Sequence, residues 1–459
     1  MTKRAQRLGV GVALTTLLVA VVGCGGSDTA TPDTTVAKTT LPAKDRDPTT
    51  LTLWSSFGDP DTIEKFQPII ERCQTDNPWL TIDYVGKDDI NTALSAAAEA
   101  GTVPDLVQTD FSGGLAKLAA TEIVAPLDQY AERDGFDWGQ FVPGGERLVT
   151  FKSKHWGIPF SLDTTALFYN QDVLDEVGVD VPTTFDELQV ASEKLLVRNA
   201  DGRIERIGWV PDVGDGSFVV PSGLLFGGTL FNEDGTKVTL TKTDAWAASI
   251  RMQKKFFDAL GPSEDVARFA GSFGSYDSSE NFFITGQVPL YLEASYFATW
   301  PARFGKGKPA KWGVAPMPRP KGAPDDLAVI ASGNSIFVPA KAKDLEASWV
   351  AASCMATAAK EIAAFQEFNG NIPANLEALD AFEAEQVAKL PQFQTFIDLA
   401  RSPDPVAPSN SVIIETMGDE ITQLALKFRR GEIPDDQLES ELADLEARMQ
   451  DELDLELGG

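Results

Sequence analysis

The stretch LTLWSSFGDPDTIEKFQPIIERCQTDNPWLTIDYVGKDDINTALSAAAEAGTVPDLVQ, residues 51–108, alternates between segments typical of strands and segments typical of helices. Bulky and polar residues alternate over 51–55 and 80–85, as expected of strands, and PDLVQ, residues 104–108, is interpreted as a third short strand. Asp59 followed by Pro60 predicts the start of the first helix, and Gly101 predicts the end of the second. Strand, helix, strand, helix and strand in this order predict the parallel sheet of an α/β fold.

The same alternation continues through the rest of the chain. Strand-like runs cover residues 166–170, 288–292, 312–315 and 335–338, and Thr184 with Glu187 predicts a capping box that opens a helix. Two helical stripes of apolar residues near the C-terminal end predict core packing rather than partner surfaces. The stripes consist of Ile413, Met417, Ile421, Leu424 and Phe428, and of Leu438, Leu442, Leu445 and Met449.

The composition is strongly acidic, with 68 Asp and Glu against 39 Lys and Arg and a net charge of -29. Binding of nucleic acid depends on clustered Lys and Arg that neutralise phosphates, so this charge argues against a nucleic acid partner. Anionic lipid headgroups would also repel it, and attachment to a membrane must therefore be covalent or inserted. We interpret the excess of acidic residues as a contribution to solubility.

The N-terminus combines a positive stretch, an apolar run over residues 8–22 and the junction Gly23-Cys24. The run is shorter than the roughly 20 residues of a membrane span and is typical of a signal peptide, here residues 1–23. Residues 21–24 resemble a bacterial lipobox, which implies that Cys24 becomes a lipidated first residue with enough acyl chains for stable anchoring. The alternative is an ordinary signal peptide followed by an incidental cysteine. The composition of residues 24–50, rich in Thr, Asp, Pro and Ala, predicts a flexible tether.

Six segments, in chain order between residues 51 and 379, resemble the family 1 extracellular solute-binding proteins, which are the sugar-binding proteins of ABC importers. The most diagnostic segment is HWGIPFSLDTTALFYNQDVLDEVGVDVPTTFDELQVASEKL, residues 155–195. The other five segments are residues 51–85, residues 104–130, TGQVPLYLEASYFATW (285–300), residues 311–322 with 331–353, and GNIPANLEAL (370–379).

The resemblance implies the larger type of periplasmic-binding-protein fold, in which two α/β lobes joined by crossover segments close on a ligand. Crossovers of the family fall near residues 159–164, 329–333 and 385–392. Lobe one would then comprise 50–161 plus 331–388, and lobe two 162–330 plus 389–459. The resemblance also implies a monomer outside the cytoplasm that hands its solute to the membrane subunits of an ABC permease.

The resemblance and the chemistry of sugars together indicate the residues of the ligand site. A sugar needs acceptors for its hydroxyl groups and aromatic rings for its apolar face. Asp163 lies at the first crossover, Asp110 follows a strand where open α/β sheets present ligand groups, and Tyr296 matches a position that stacks on sugars in the family. Further candidates lie on the loop after the first strand, near Tyr296, at the second crossover and in the second lobe. They are Ser55, Ser56, Phe57, Trp300, Gly333, Asn334, Ser335, Ser217 and Phe218.

Each of these residues also has a structural interpretation. Asp163 could stabilise a hinge, Asp110 could cap a helix, and Tyr296 or Trp300 could pack in a core. Relatives often carry an aromatic residue within 408–414, where this chain has Val412, Ile413 and Ile414. Fewer stacking rings favour a mono- or disaccharide over a long oligosaccharide.

Two further cysteines, Cys73 and Cys354, remain after the signal peptide. A disulfide is permitted outside the cytoplasm, and the resemblance places both residues in the same lobe. The alternative is two separate buried thiols.

The sequence carries no motif for a cofactor. It lacks a glycine-rich phosphate loop between a strand and a helix, and its single histidine, His155, does not support a metal site or a catalytic triad. One alternative function is a receptor for glycerophosphodiesters or polyols, with Arg303 or Arg319 as the cation. A second is a secreted glycoside hydrolase that uses Asp110 and Asp163 as paired carboxylates, and a third is an adhesion lipoprotein.

Overall fold

A computed structural model describes residues 46–87, 89–110, 114–211, 218–261, 263–323, 330–403, 405–407 and 409–458. Cys24, the tether up to residue 45 and Ser217 lie outside these residues. The described chain alternates strands and helices and has an α/β architecture. No helix within the described ranges combines the length and the apolar character needed to span a bilayer.

The strands of the described residues are β1 Thr49–Ser55, β2 Leu80–Gly86, β3 Leu106–Asp110, β4 Thr150–Phe151, β5 Lys154–His155, β6 Ile158–Pro159, β7 Ser161–Asn170, β8 Val197–Arg198, β9 Ile204–Arg206, β10 Leu290–Ala294, β11 Trp312–Ala315, β12 Ile330–Ser332, β13 Asn334–Phe337 and β14 Ile372–Pro373. The α-helices are α1 Pro60–Asp76, α2 Ile90–Ala100, α3 Leu115–Ala120, α4 Asp128–Asp134, α5 Pro143–Val149, α6 Gln171–Val177, α7 Phe185–Leu195, α8 Val219–Leu225, α9 Ala245–Leu260, α10 Ser263–Ala270, α11 Thr299–Phe304, α12 Leu345–Ala356, α13 Ala359–Asn369, α14 Leu376–Lys389, α15 Phe393–Ala400, α16 Ile414–Arg429 and α17 Leu438–Gly458.

The first sheet has the strand order β2-β1-β3-β13-β6. β1 runs parallel to both β2 and β3, which confirms the parallel pattern expected from residues 51–108. The helices between these strands begin and end where the sequence predicts. The Asp59 carboxylate accepts a hydrogen bond from the Thr62 amide at 3.0 Å, and Gly101 ends α2 in the left-handed conformation.

The second sheet is organised around β7, a ten-residue strand. β10 and β11 pair antiparallel with its C-terminal part, and β12 and β14 pair antiparallel with its N-terminal part. The capping box of Thr184 and Glu187 forms at the start of α7, as predicted. The sequence pattern places the strand only at 166–170, because the polar and β-branched residues that precede it give no apolar signal.

Gly333 is the point where the chain passes from one sheet to the other. Ser332, on β12, pairs with Asp163 of the second sheet, whereas Asn334, on β13, pairs with Asp110 of the first. A Cβ atom at residue 333 would lie 2.3 Å from the Ser161 carbonyl oxygen, so only glycine permits this close approach of the two segments.

The C-terminal helices belong to one apolar core, as the two stripes predict. Every member of both stripes is buried in a cluster that also includes Trp246 of α9. Val412 of the non-aromatic 412–414 segment is partly buried and packs against this cluster and against a second one that contains Leu94 and Phe337.

A disulfide joins Cys73 of α1 to Cys354 of α12, with 5.8 Å between the two Cα atoms. It links two helices that pack against each other and are separated by 281 residues in sequence. Of the two alternatives that the sequence leaves open, a disulfide or two separate buried thiols, the structure has the disulfide.

Candidate functional site

Asp163 is held by two segments that reach it from distant parts of the chain. Its Oδ2 atom accepts a hydrogen bond from the Ser332 hydroxyl at 2.8 Å, and its Oδ1 atom accepts one from the Asn371 side-chain amide. The carboxylate is partly buried, and no Lys or Arg of the described residues forms an ion pair with it. These bonds agree with the hinge-stabilising interpretation of Asp163, and its role as a ligand contact stays a prediction.

Asp110 and Asn334 face each other across the neighbouring pair of strands in the first sheet. The side-chain oxygen of Asn334 accepts a hydrogen bond from the Gln108 side-chain amide at 3.0 Å, and the side-chain oxygen of Gln108 accepts one from the Ser55 hydroxyl at 2.5 Å. This buried chain of hydrogen bonds fixes the ends of β1, β3 and β13 relative to one another. Ser332 pairs with Asp163, Asn334 pairs with Asp110, and Gly333 lies between them in the chain. Three sequence candidates, Asp110, Gly333 and Asn334, are therefore close to Asp163.

The local electrostatics are dominated by negative charge. Burial raises the pKa of Asp163 to about 7, and the charges of Asp110 and, to a smaller extent, Glu293 act in the same direction. The hydrogen bonds from Ser332 and Asn371 oppose this increase of the pKa, because they favour the carboxylate form. Asp110 and Glu293 thus lie close enough for their charges to act on Asp163.

Tyr296 and Trp300 bring aromatic surface to the same region. Both rings are partly exposed, and their centroids are 6.1 Å apart. Gly370 packs tightly beside Tyr296, since a Cβ atom there would lie 2.9 Å from the Tyr296 Cα. The next residue in the chain, Asn371, donates a hydrogen bond to Asp163. The segment of residues 370–371 therefore contacts both Tyr296 and Asp163.

Glu293 is a functional candidate that the sequence analysis does not identify. It lies on β10, and its carboxylate accepts hydrogen bonds from the hydroxyl groups of Tyr276, Tyr291 and Tyr296. The signal that could have revealed it is a lone carboxylate in the otherwise apolar run 288–294, with tyrosines on both sides. Tyr276 is distant in sequence and lies outside any strand or helix, so no periodicity connects it to the other residues.

The loop after β1 is less accessible to a ligand than the family resemblance implies. Ser55 is fully buried, Ser56 is exposed, and the Ser56 amide donates to the Gln108 backbone at 3.1 Å. The Phe57 ring is partly buried and lies 5.2 Å from the ring of Phe365. This loop is therefore adjacent to the Gln108–Asn334 hydrogen bonds.

The remaining sequence candidates have other surroundings. Phe218 is buried and packs edge-on against Trp209 and Phe185. The exposed Arg303 lies over the ring of Phe304, and the Arg319 amide bonds the Thr183 carbonyl oxygen beside the start of α7.

The single histidine, His155, lies between two carboxylates and a tryptophan ring. The His155 ring stacks on Trp138 at 3.8 Å and lies between the carboxylates of Asp128 and Glu146, which face its two nitrogens from opposite sides. Within the part of the chain that the structure describes, His, Cys, Asp and Glu form no group of three that could hold a metal ion.

Comparison with known structures defines the class of the fold. A protein solved with mannobiose bound superposes with a TM-score of 0.72 at 18% sequence identity, and the match covers 87% of this chain and all of the other. Together with the alternating strands and helices, the similarity shows the two-lobe periplasmic-binding-protein fold that the sequence predicts.

The profile of the bacterial extracellular solute-binding proteins matches residues 59–366, and the chain belongs to this family. The maltotriose-binding protein of Pyrococcus abyssi is 26% identical over 268 residues, which cover 58% of this chain and 53% of that protein. The sn-glycerol-3-phosphate-binding periplasmic protein of Salmonella paratyphi A is 28% identical over 303 residues, which cover 63% of this chain and 66% of that protein. The chain thus spans between about half and two thirds of the length of these relatives.

Membership of the family confirms several expectations from the sequence. The chain is an extracytoplasmic solute-binding protein, and the family consists of binding proteins rather than enzymes. This assignment sets aside the glycoside hydrolase as an alternative. The lipid anchor, the monomeric state and the individual site residues stay predictions.

Proposed function

We propose that this protein captures a neutral carbohydrate, a mono- or disaccharide, and delivers it to the membrane subunits of an ABC importer. The observation that carries the proposal is the convergence of Asp163, Asp110 and Asn334 with the partly exposed rings of Tyr296 and Trp300. Acceptors for hydroxyl groups next to aromatic faces match the two chemical features of a sugar. The maltotriose-binding relative and the mannobiose-bound structure support the same class of solute.

The ligand would bind between lobe one, residues 50–161 plus 331–388, and lobe two, residues 162–330 plus 389–459. The chain passes from one sheet to the other at two places, and both support these boundaries. It leaves the first sheet after β6, which pairs with β13, and enters the second at β7. It returns after β12, which pairs with β7, and enters the first sheet again at β13, which pairs with β3. α15 packs on β7 and β11, which supports placing the chain after residue 389 in lobe two. Closure would remove water from Asp163 and Tyr296 and strengthen their contacts with the sugar.

A phosphorylated polyol is the second candidate, favoured by the similarity to the glycerol-3-phosphate-binding protein. A phosphate requires a cation or several amide donors, and Arg-rich sites are the usual solution. Here Asp163 and Glu293 bring two carboxyl groups to the candidate site, and Arg303 lies over the ring of Phe304. The electrostatics therefore favour the neutral sugar.

A thermal-shift screen against neutral sugars, amino sugars, polyols and glycerophosphodiesters should identify the solute class. A neutral sugar present at 100 times its dissociation constant should stabilise the protein by about 2.7 kcal/mol. Stabilisation by sn-glycerol 3-phosphate alone, with no response to any sugar, would replace the proposal by the second candidate.

Replacement of Cys24 by alanine should release the protein from the cell membrane. The Gly23-Cys24 junction after the short apolar run supports lipidation of this cysteine, and without its acyl chains a protein of net charge -29 has no affinity for anionic lipids. Fractionation of cells and immunoblotting measure the distribution. The Ser27→Ala variant, which keeps the cysteine, serves as the control and should stay with the membrane. Retention of processed Cys24→Ala protein in the membrane fraction would contradict the anchor.

A further inference from the structure

Glu293 is the centre of a hydrogen-bonded cluster beside the candidate sugar site. Its Oε2 atom accepts from the Tyr276 hydroxyl at 2.6 Å and from the Tyr291 hydroxyl, and its Oε1 atom accepts from the Tyr296 hydroxyl at 3.1 Å. The backbone amide of Ala294 donates to Oε1 at 2.8 Å. β10 positions the carboxylate, because Glu293 pairs with Ala166 in the centre of β7.

The four hydrogen bonds occupy the acceptor capacity of the carboxylate, which offers about four lone-pair directions. Glu293 therefore has no acceptor left for a ligand. No lysine or arginine among the described residues forms an ion pair with it, so the tyrosine hydroxyls and the amide are what stabilise its charge. Its contribution to binding must then act through the tyrosines that it holds.

The tyrosines differ in how accessible they are. Tyr291 is only 2% exposed, and its ring packs against Phe282 and Phe297. Tyr276 and Tyr296 are partly exposed and both approach Trp300, with centroid distances of 4.5 and 6.1 Å. These two rings are the members of the cluster that can meet a ligand.

A tyrosine hydroxyl has one hydrogen, and the hydroxyls of Tyr276, Tyr291 and Tyr296 are all placed to donate it to Glu293. The hydroxyl oxygens of Tyr276 and Tyr291 also lie 3.1 Å apart. Burial, together with the negative charge of Glu293, raises the pKa of Tyr276 and Tyr296, so both hydroxyls keep their hydrogen at neutral pH. Their remaining capacity consists of oxygen lone pairs. Asp163, close enough for its charge to act on Tyr296, is likewise an acceptor when ionised.

We propose that Glu293 is a positioning residue that fixes the hydroxyls of Tyr276 and Tyr296 as hydrogen-bond acceptors, and that the site thereby selects solutes that donate hydrogen bonds and rejects phosphate and carboxylate groups. This inference rests on the proposed function and explains how the site would distinguish neutral sugars from anionic solutes. Sugar hydroxyls can supply the hydrogens that these acceptors require. A phosphate monoester would place oxygen lone pairs against oxygen lone pairs, close to two carboxylates.

The test compares wild-type protein with Glu293→Gln by calorimetry on matched probes. The neutral probes are glucose, maltose, mannobiose and maltotriose, and the anionic probes are maltose 6'-phosphate and sn-glycerol 3-phosphate. Wild-type protein should bind a neutral probe at least 100-fold more tightly than an anionic one. Glu293→Gln should bind the neutral probe at least 10-fold more weakly, and its preference for neutral over anionic probes should shrink, because an amide has one acceptor oxygen and frees a tyrosine hydroxyl to donate.

Two further variants separate positioning from loss of structure. Tyr130→Phe removes a hydroxyl from a ring that stacks on Trp349 outside the Glu293 cluster, and its affinities should stay within threefold of wild type. Tyr296→Phe keeps the ring and removes the acceptor, and it should weaken neutral-sugar binding by 3- to 10-fold even if Glu293→Gln fails to fold. Near-ultraviolet circular dichroism verifies the native state of each variant.

The outcomes distinguish the inference from the function on which it rests. If folded Glu293→Gln keeps both the affinity and the preference of wild type, the positioning role is wrong while sugar binding stands. Equal affinity of wild-type protein for maltose and maltose 6'-phosphate would also overturn the inference alone. Absence of binding to every saccharide would remove the proposed function, and the inference with it.

Discussion

Replacement of Asp163 by alanine should weaken the binding of a neutral sugar by roughly 10- to 150-fold. The carboxylate lies where the chain passes between the two sheets, and a hydrogen bond to a charged acceptor contributes about 1.5–3 kcal/mol. Calorimetry at pH 8, where the carboxylate is ionised, measures the effect with the sugar found in the screen, and circular dichroism verifies the fold. Ser332→Ala is the matched control, because it removes one support of the carboxylate and leaves its charge in place. Wild-type affinity in a folded Asp163→Ala protein would exclude this residue from the site and make Asp110 the leading candidate.

The pH dependence of stability provides a second test of the environment of Asp163. Its pKa is raised from 3.8 to about 7, chiefly by burial and then by Asp110, so the folded state binds more protons than the unfolded state between these values. This group therefore favours folding fully below pH 3.8, and its contribution to the free energy of unfolding declines as the pH rises toward 7. As the pH rises from 5 to 8, wild-type protein should lose about 2 kcal/mol of its free energy of unfolding relative to Asp163→Asn, which cannot titrate at this position. A constant difference across this range, measured by urea denaturation, would contradict the raised pKa.

Loss of the disulfide should lower the free energy of unfolding by about 2–5 kcal/mol. Cys73 and Cys354 are 281 residues apart, and a cross-link over so long a segment strongly restricts the unfolded chain. The double variant Cys73→Ala, Cys354→Ala should denature at a lower urea concentration than oxidised wild type.

Reduction provides the control for this prediction. Dithiothreitol should lower the urea midpoint of wild-type protein and leave that of the double variant unchanged. Identical midpoints of wild-type protein with and without the reductant would mean that the bond contributes nothing to stability. Peptide mapping under non-reducing conditions should recover residues 73 and 354 in one cross-linked fragment.

The features that the sequence predicts well are those determined locally. Asp59 at the start of α1 and the capping box of Thr184 with Glu187 depend only on neighbouring residues, and both form as expected. The apolar stripes of α16 and α17 are buried because a period of 3.6 residues fixes one face of a helix. By contrast, β10 begins two residues later than the apolar run suggests, since Val288 is buried without belonging to the strand.

The candidate site is less predictable, because its contacts join distant segments. Asp163 and Tyr296 could be identified from family resemblance, yet Ser332 and Asn371, which hold Asp163, could not. Glu293 depends on three tyrosines whose common target is visible only once β10 and the loop carrying Tyr276 are brought together. The sequence pattern alone does not show that these distant residues contact each other.

The strand order of the first sheet constrains how the chain can fold as it is made and exported. β6, at residues 158–159, pairs only with β13 among the described strands, and β13 lies between β3 and β6 although it begins at residue 334. A growing chain that has emerged only to residue 333 therefore lacks the strand that completes this sheet. Such distant pairing is intrinsically slow to form, because the intervening segment must first be brought together. Until β13 has been made, β6 has no partner among the described strands and the first sheet stays incomplete.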